Sequence, residues 1–137
     1  MAQYPIELIL ARQLASQLAV AVLLVDAAGD TVFFNEPAGA ILGRSFEEVD
    51  ALPFAERSAL LAPRTEAGAV LPVEDLPGMI AMRQSRVAHA SFQMHGLDGT
   101  LRPVAATAFP LESAGGQVLG AFILMWLRPD PQGVGAS

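Results

Sequence analysis

Residues 97–127, LDGTLRPVAATAFPLESAGGQVLGAFILMWL, decide the fold. Asp98-Gly99 is turn chemistry, because glycine accepts the positive φ that a tight hairpin needs. Residues 101–111 then read as a strand, with Pro103 best accommodated near its start. Residues 113–116 (SAGG) turn the chain again, and residues 117–127 form a long buried strand. Just before the first turn, residues 87–95 alternate, placing Ala88, Ala90, Phe92 and Met94 on one parity. The last third of the chain is therefore three strands joined by tight turns.

Toward the N-terminus, residues 74–86 carry Leu76, Met79, Ile80 and Arg83 and follow Pro72, which predicts a helix. Pro53, Pro63 and Gly68 break the preceding region into small helical pieces and loops. Ser45-Phe46-Glu47-Glu48 has the form of a capping box, in which Ser45 and Glu48 satisfy free N–H groups reciprocally. Asn35-Glu36-Pro37 opens another short helix with a capping side chain, an acid at the positive helix end and a first-turn proline; Gly43 stops it. Residues 21–26 (AVLLVD) and 31–34 (TVFF) form a hairpin around the turn at residues 27–30. Residues 5–18 place Ile6, Leu10, Leu14 and Leu18 at i+4 spacing, with Ile9 alongside, on an amphipathic helix opened by Pro5. The order is helix, two strands, three short helices, three strands, an antiparallel α+β arrangement.

Composition limits the functions open to such a fold. The 137 residues suit one domain, and a chain of this size buries roughly two-thirds of its unfolded surface without needing a disulfide or structural metal. No cysteine is present, which excludes disulfides, thiolate metal sites and cysteine nucleophiles. All eight basic residues are arginine, set against 14 acids, and a net charge of −6 repels phosphate backbones, so nucleic acid is not an expected partner. The longest apolar runs, residues 18–25 and 118–127, are too short for the ~20 residues of a bilayer span. Nothing basic precedes Glu7 and Asp26 ends the first run, so it does not read as a signal peptide; a cytoplasmic location is the default.

These stretches resemble the PAS family. The resemblance rests on four segments: residues 22–35, ending in the Asn that caps the first helix; Ile41-Leu42-Gly43 with residues 45–49 (SFEEV); residues 72–77 (PVEDLP) with Arg86-Val87; and residues 97–121. It covers residues 16–127, nearly the whole globular part. It implies a PAS-like five-stranded antiparallel sheet in order 2-1-5-4-3, with short helices on one face over a cavity, and sensing or protein–protein signalling rather than catalysis. The expected organisation is an N-terminal amphipathic helix at residues 1–18 serving dimerisation, the PAS-like domain at 19–128, and a flexible tail at 129–137. The family commonly leaves its last strand through an Asp-hydrophobic-Thr step into a coiled-coil helix; here residues 126–131 read WLRPDP instead.

Strand parity predicts the cavity-facing residues, and a one-residue slip would invert any such list. The expected ligand-binding set is Leu23, Val25, Met79, Ile80, Phe92, Met94, Ala106, Ala108, Phe122 and Leu124, with Ala90, Met82 and Val118 beside it. This is an apolar hollow floored by alanines, which either collapses to a dry core or holds a hydrophobic small molecule. No cofactor is expected. Photoactive flavin-binding (LOV) relatives form a cysteinyl adduct, which a chain without cysteine cannot do. Haem-binding relatives usually present an axial His from the long helix, whereas the two histidines here, His89 and His95, lie on or beside a strand. The acids Glu47, Glu48, Asp50, Glu74 and Asp75 read as helix caps and solvated faces rather than metal ligands. No nucleophile–His–acid arrangement or phosphate-cradling loop stands out.

The function expected is a non-catalytic PAS-type sensory and interaction module. Its partners would be a second copy of itself, through Ile6, Ile9, Leu10, Leu14 and Leu18, a partner signalling protein and a hydrophobic ligand, with neither nucleic acid nor membrane. The alternative is a small cone-shaped α+β enzyme using a cavity carboxylate or His, with Asp26 the candidate acid. A charged side chain pointing into the cavity would favour the enzyme, and an entirely apolar lining the sensor.

Overall fold

Residues 4–49 and 52–128 are described by the computed structural model; the tail expected at 129–137 lies outside the described residues. In chain order the elements are α1 (Ile6–Gln17), β1 (Ala21–Asp26), β2 (Thr31–Phe34), α2 (Glu36–Leu42), α3 (Phe46–Val49), α4 (Phe54–Leu61), α5 (Pro77–Gln84), β3 (Ala88–His95), β4 (Leu101–Glu112) and β5 (Val118–Leu127). The strands pair antiparallel in the order β2-β1-β5-β4-β3, as the resemblance implied.

Both faces of the sheet carry a buried cluster. Because side chains alternate along a strand, β1 sends Leu23 and Val25 to one side and Val22 and Leu24 to the other. The first side carries the larger cluster, in which Val25, Ala106, Ile123 and Met125 join Ile41, Leu61 and Ala81 from the helices. On the second, Val22, Leu24, Val32 and Phe122 join Leu8, Ala11 and Ala15 of α1. So α1 docks on the sheet by the face opposite the predicted stripe.

Asn35 fastens these layers together. Its Oδ1 accepts from Ala38 N–H at 3.1 Å, capping α2, and from Val22 N–H at 3.0 Å; its Nδ2 donates to the carbonyls of Ala15 and Val20, both at 2.9 Å. Gly43 ends α2 at φ +88° as expected. Two local expectations need correction. At α3 the Glu48 carboxylate does take the Ser45 N–H, but the Ser45 hydroxyl donates to that same carboxylate instead of capping a backbone N–H, so the box closes on one arm only. The helix predicted over 74–86 is also shorter. Residues 73–75 form a 3-10 turn, Leu76 is extended, and α5 starts at Pro77, because a proline disfavours helical backbone in the residue before it. Pro103 sits in β4 opposite Gln93, whose own N–H and carbonyl bond outward to Arg64, so no ladder donor is missed.

Candidate functional site: an apolar cavity with one buried cation

Between sheet and helices lies a cavity of about 70 Å³. Leu23, Val25, Phe92, Met94 and Ala106 line it from β1, β3 and β4, and Ile123 and Met125 from β5. From above, α5 contributes Met79 and Met82, and α4 contributes Phe54, Arg57, Ser58 and Leu61, the i, i+3, i+4, i+7 positions of one helix face. Leu23, Val25, Met79, Phe92, Met94 and Ala106, predicted to face inward, do meet here, with Met82 beside them. The volume is about half of the ~150 Å³ apolar cavity that admits benzene and well below the ~300 Å³ at which drug-sized pockets begin.

Four residues of the expected ligand-binding set lie elsewhere, as does Val118. Phe122 and Leu124 belong to the cluster beneath α1, on the opposite face, and their neighbours Ile123 and Met125 take the cavity positions. Parity is no guide on β5, which is apolar on both sides and shows no alternation. Val118 belongs to neither cluster. Ala108 is buried on the correct face without lining the cavity, and Ile80 is half-buried on α5, away from it. Small residues account for Ala108. Gly78 approaches β5 so closely that a Cβ would stand 2.8 Å from Ile123 Cδ1, and Ala81 and Ala108 are sealed within the same cluster. The alanine floor has thus closed at Ala108 and stays open at Ala106.

The lining is not wholly apolar, and its charged member, Arg57, went unnoticed in the sequence. Arg57 is 9% exposed. Its Nη1 donates to the Gly29 carbonyl at 2.7 Å and to Thr31 Oγ1 at 2.9 Å, and the guanidinium lies 5.3 Å from the Phe54 ring centroid. The β1–β2 turn builds this seat: Asp30 Oδ1 accepts the Phe54 N–H at 2.7 Å, capping α4, which Pro53 cannot do with a side chain. Burial pushes the Arg57 pKa down to about 10, an effect that Asp30 and Asp26 oppose, so the group stays charged at neutral pH. No carboxylate pairs with it directly among the described residues.

The other polar candidates point away. Asp26 Oδ1 accepts the N–H groups of Ala28 and Asp30 within its own turn. His89 is exposed on the sheet, bonded to Thr107 Oγ1 at 2.8 Å and stacked on Trp126. His95 ends β3 beside the hairpin turn. Among the described residues no cluster of three or more His, Asp or Glu could hold a metal, and no helix is long and apolar enough to cross a membrane. On α1, Ile6, Ile9, Leu10 and Leu14 form an exposed stripe, Leu10 and Leu14 being 55% and 54% accessible, whereas Leu18 is half-buried against the sheet.

No family model matches the chain, and no curated protein matches it. Solved structures do. A PAS domain from Colwellia psychrerythraea aligns with TM-score 0.63 at 15% identity, covering 85% of this chain and 92% of that one. The PAS domain of Bordetella pertussis BvgS aligns with TM-score 0.60 at 14% identity, over 95% of this chain and 92% of that one. A Rhodobacter sphaeroides LOV protein gives TM-score 0.66 at 13% identity, over 96% and 74%. At such identities the likeness is one of fold, and the fold is of PAS type.

Proposed function

We propose that this chain is a signal-transduction module of PAS type: a cytoplasmic sensor and interaction domain, without catalysis of its own, that holds a small, largely hydrophobic molecule in the cavity and works as a homodimer. The observation that carries the sensor reading is the largely apolar cavity under α4 and α5, in a fold shared with a PAS domain from a two-component sensor histidine kinase. Its one cation does not favour an enzyme. A guanidinium charged up to pH about 10 neither gives nor takes a proton near neutrality, and general acid–base work needs a group that does. Without cysteine, light-driven adduct chemistry is closed to the chain.

The dimer reading rests on α1, which buries Leu8, Ala11 and Ala15 and still presents Ile6, Ile9, Leu10 and Leu14 to water. A helix with a second apolar stripe beside its docked face calls for cover on both, and a second copy supplies the same stripe about a two-fold axis. Signalling would follow if a ligand bound one packing of α1 and the sheet better than another. A partner signalling protein would read that change. Light scattering on the wild type should give the dimer mass at tens of micromolar concentration, by ordinary mass action. Leu10→Asp with Leu14→Asp should give the monomer with unchanged circular dichroism. A monomeric wild type, or a dimer surviving both substitutions, refutes the dimer reading. Native mass spectrometry with a visible absorbance spectrum tests the ligand, and a tightly bound chromophore would overturn the expectation of no cofactor.

A further inference from the structure

Arg57 ends the cavity with more hydrogen-bonding capacity than the fold uses. A guanidinium carries five N–H donors in a rigid fork. The two on Nη1 go to Gly29 and Thr31, while Nε and Nη2 have no acceptor among the described residues. Those two nitrogens form one side of the fork, the geometry that matches the two oxygens of a carboxylate. The seat is rigid, since Asp30 holds the start of α4 and the β1–β2 turn holds Nη1. A buried cation lacking a direct anionic partner carries a desolvation cost that an incoming anion would offset.

Building on the ligand-holding reading above, we infer that the cavity takes a short-chain monocarboxylate, its carboxylate bidentate on Nε and Nη2 of Arg57 and its apolar body against Leu23, Ala106, Met79 and Met82. The cavity volume, about 70 Å³, restricts that body to a few carbons. The apolar lining also disfavours inorganic phosphate, which would lose its hydration on every side but one.

The test is titration of the wild-type protein with butanoate, hexanoate, 1-butanol and inorganic phosphate, followed by calorimetry and by NMR of the Arg57 side-chain Nε–H. Butanoate should bind at least ~tenfold more tightly than 1-butanol or phosphate, the ratio that a charge-assisted pair contributes, and should bind more tightly than hexanoate. It should shift the Nε–H resonance where 1-butanol does not. In Arg57→Met the preference for butanoate over 1-butanol should vanish while alcohol binding persists. Should that variant not fold, Arg57→Lys, which keeps the charge and loses the fork, should lower butanoate affinity selectively. Equal binding of acid and alcohol overturns the carboxylate inference and leaves the hydrophobic-ligand reading standing. Tighter phosphate binding overturns the inference too, and binding of none of the four overturns both.

Discussion

Asn35 offers the sharpest energetic test of how the layers are joined. The residue is 4% exposed and its side chain makes five hydrogen bonds to backbone of α1, β1, α2 and the linker before β1, the one to the Leu18 carbonyl the longest at 3.5 Å. Asn35→Ala removes an N-cap worth about 1 kcal/mol and strands the buried Val22 N–H, at about 1–3 kcal/mol. The Ala15 carbonyl keeps a bond from Leu18 N–H, and Val20 is exposed enough for water, so those two losses stay at about 0.5 kcal/mol each. The expected total is about 3–5 kcal/mol, a large share of the 5–15 kcal/mol typical of a domain. Asn35→Asp separates the roles. Its oxygens still accept from Val22 and Ala38, but an anionic oxygen now faces the carbonyls of Ala15 and Val20. Urea unfolding followed by the single Trp126 gives the totals, and hydrogen exchange resolves α1. For Asn35→Asp, α1 should lose protection before the sheet does. A loss below about 1.5 kcal/mol in Asn35→Ala, or unchanged α1 protection in Asn35→Asp, refutes the fastening role.

Three further outcomes follow from packing and charge. A Cβ on Gly120 would overlap the Val25 carbonyl oxygen and stand 3.1 Å from Asp26 Cα, so Gly120→Ala should cost more than about 2 kcal/mol in urea unfolding; Gly99→Ala, which meets nothing within 4 Å and only strains a φ of +83°, should cost about 1 kcal/mol. Ala106→Leu should occupy the cavity, abolishing butanoate and 1-butanol binding by calorimetry while the far-ultraviolet circular dichroism stays native. Arg102, bonded to Asp98 at 2.8 and 2.9 Å, holds that carboxyl well below its usual range. Because the folded pKa is the lower one, the pair stabilises above the unfolded value of about 3.9 and its contribution fades as pH falls beneath it. Asp98→Asn should therefore lower the urea midpoint at pH 7 and converge with wild type as pH is taken below about 4; a gap that persists in acid counts against the pair.

Much of the architecture was legible because its signals are local. Gly29, Gly43 and Gly99 stand in the left-handed conformation that their turns and cap require, and Asn35 caps the helix it precedes. What escaped is what depends on distant neighbours. Both faces of β5 are covered, so Phe122 and Ile123 look alike in sequence although they point opposite ways. On α1 the spacing of leucines and isoleucines picked the outward stripe, since the docked face relies on Ala11 and Ala15, whose small size lets the helix lie close to the strands. Arg57 is a surface residue by composition alone; its partners Gly29 and Thr31 are 28 and 26 positions away. The expected alanine floor failed at Ala108 because Gly78 lets α5 come down onto Ile123.

Cavity and α1 lie on opposite sides of a single layer of backbone. Leu23 and Val25 touch the cavity while Val22 and Leu24, their immediate neighbours, support the helix, and in β5 Ile123 and Phe122 divide in the same way. A strand cannot move on one side only: whatever tilts β1 or β5 to make room for a guest tilts the ground beneath α1 by the same amount. Communication between the two would need no chain of intermediaries, only the rigidity of a peptide plane.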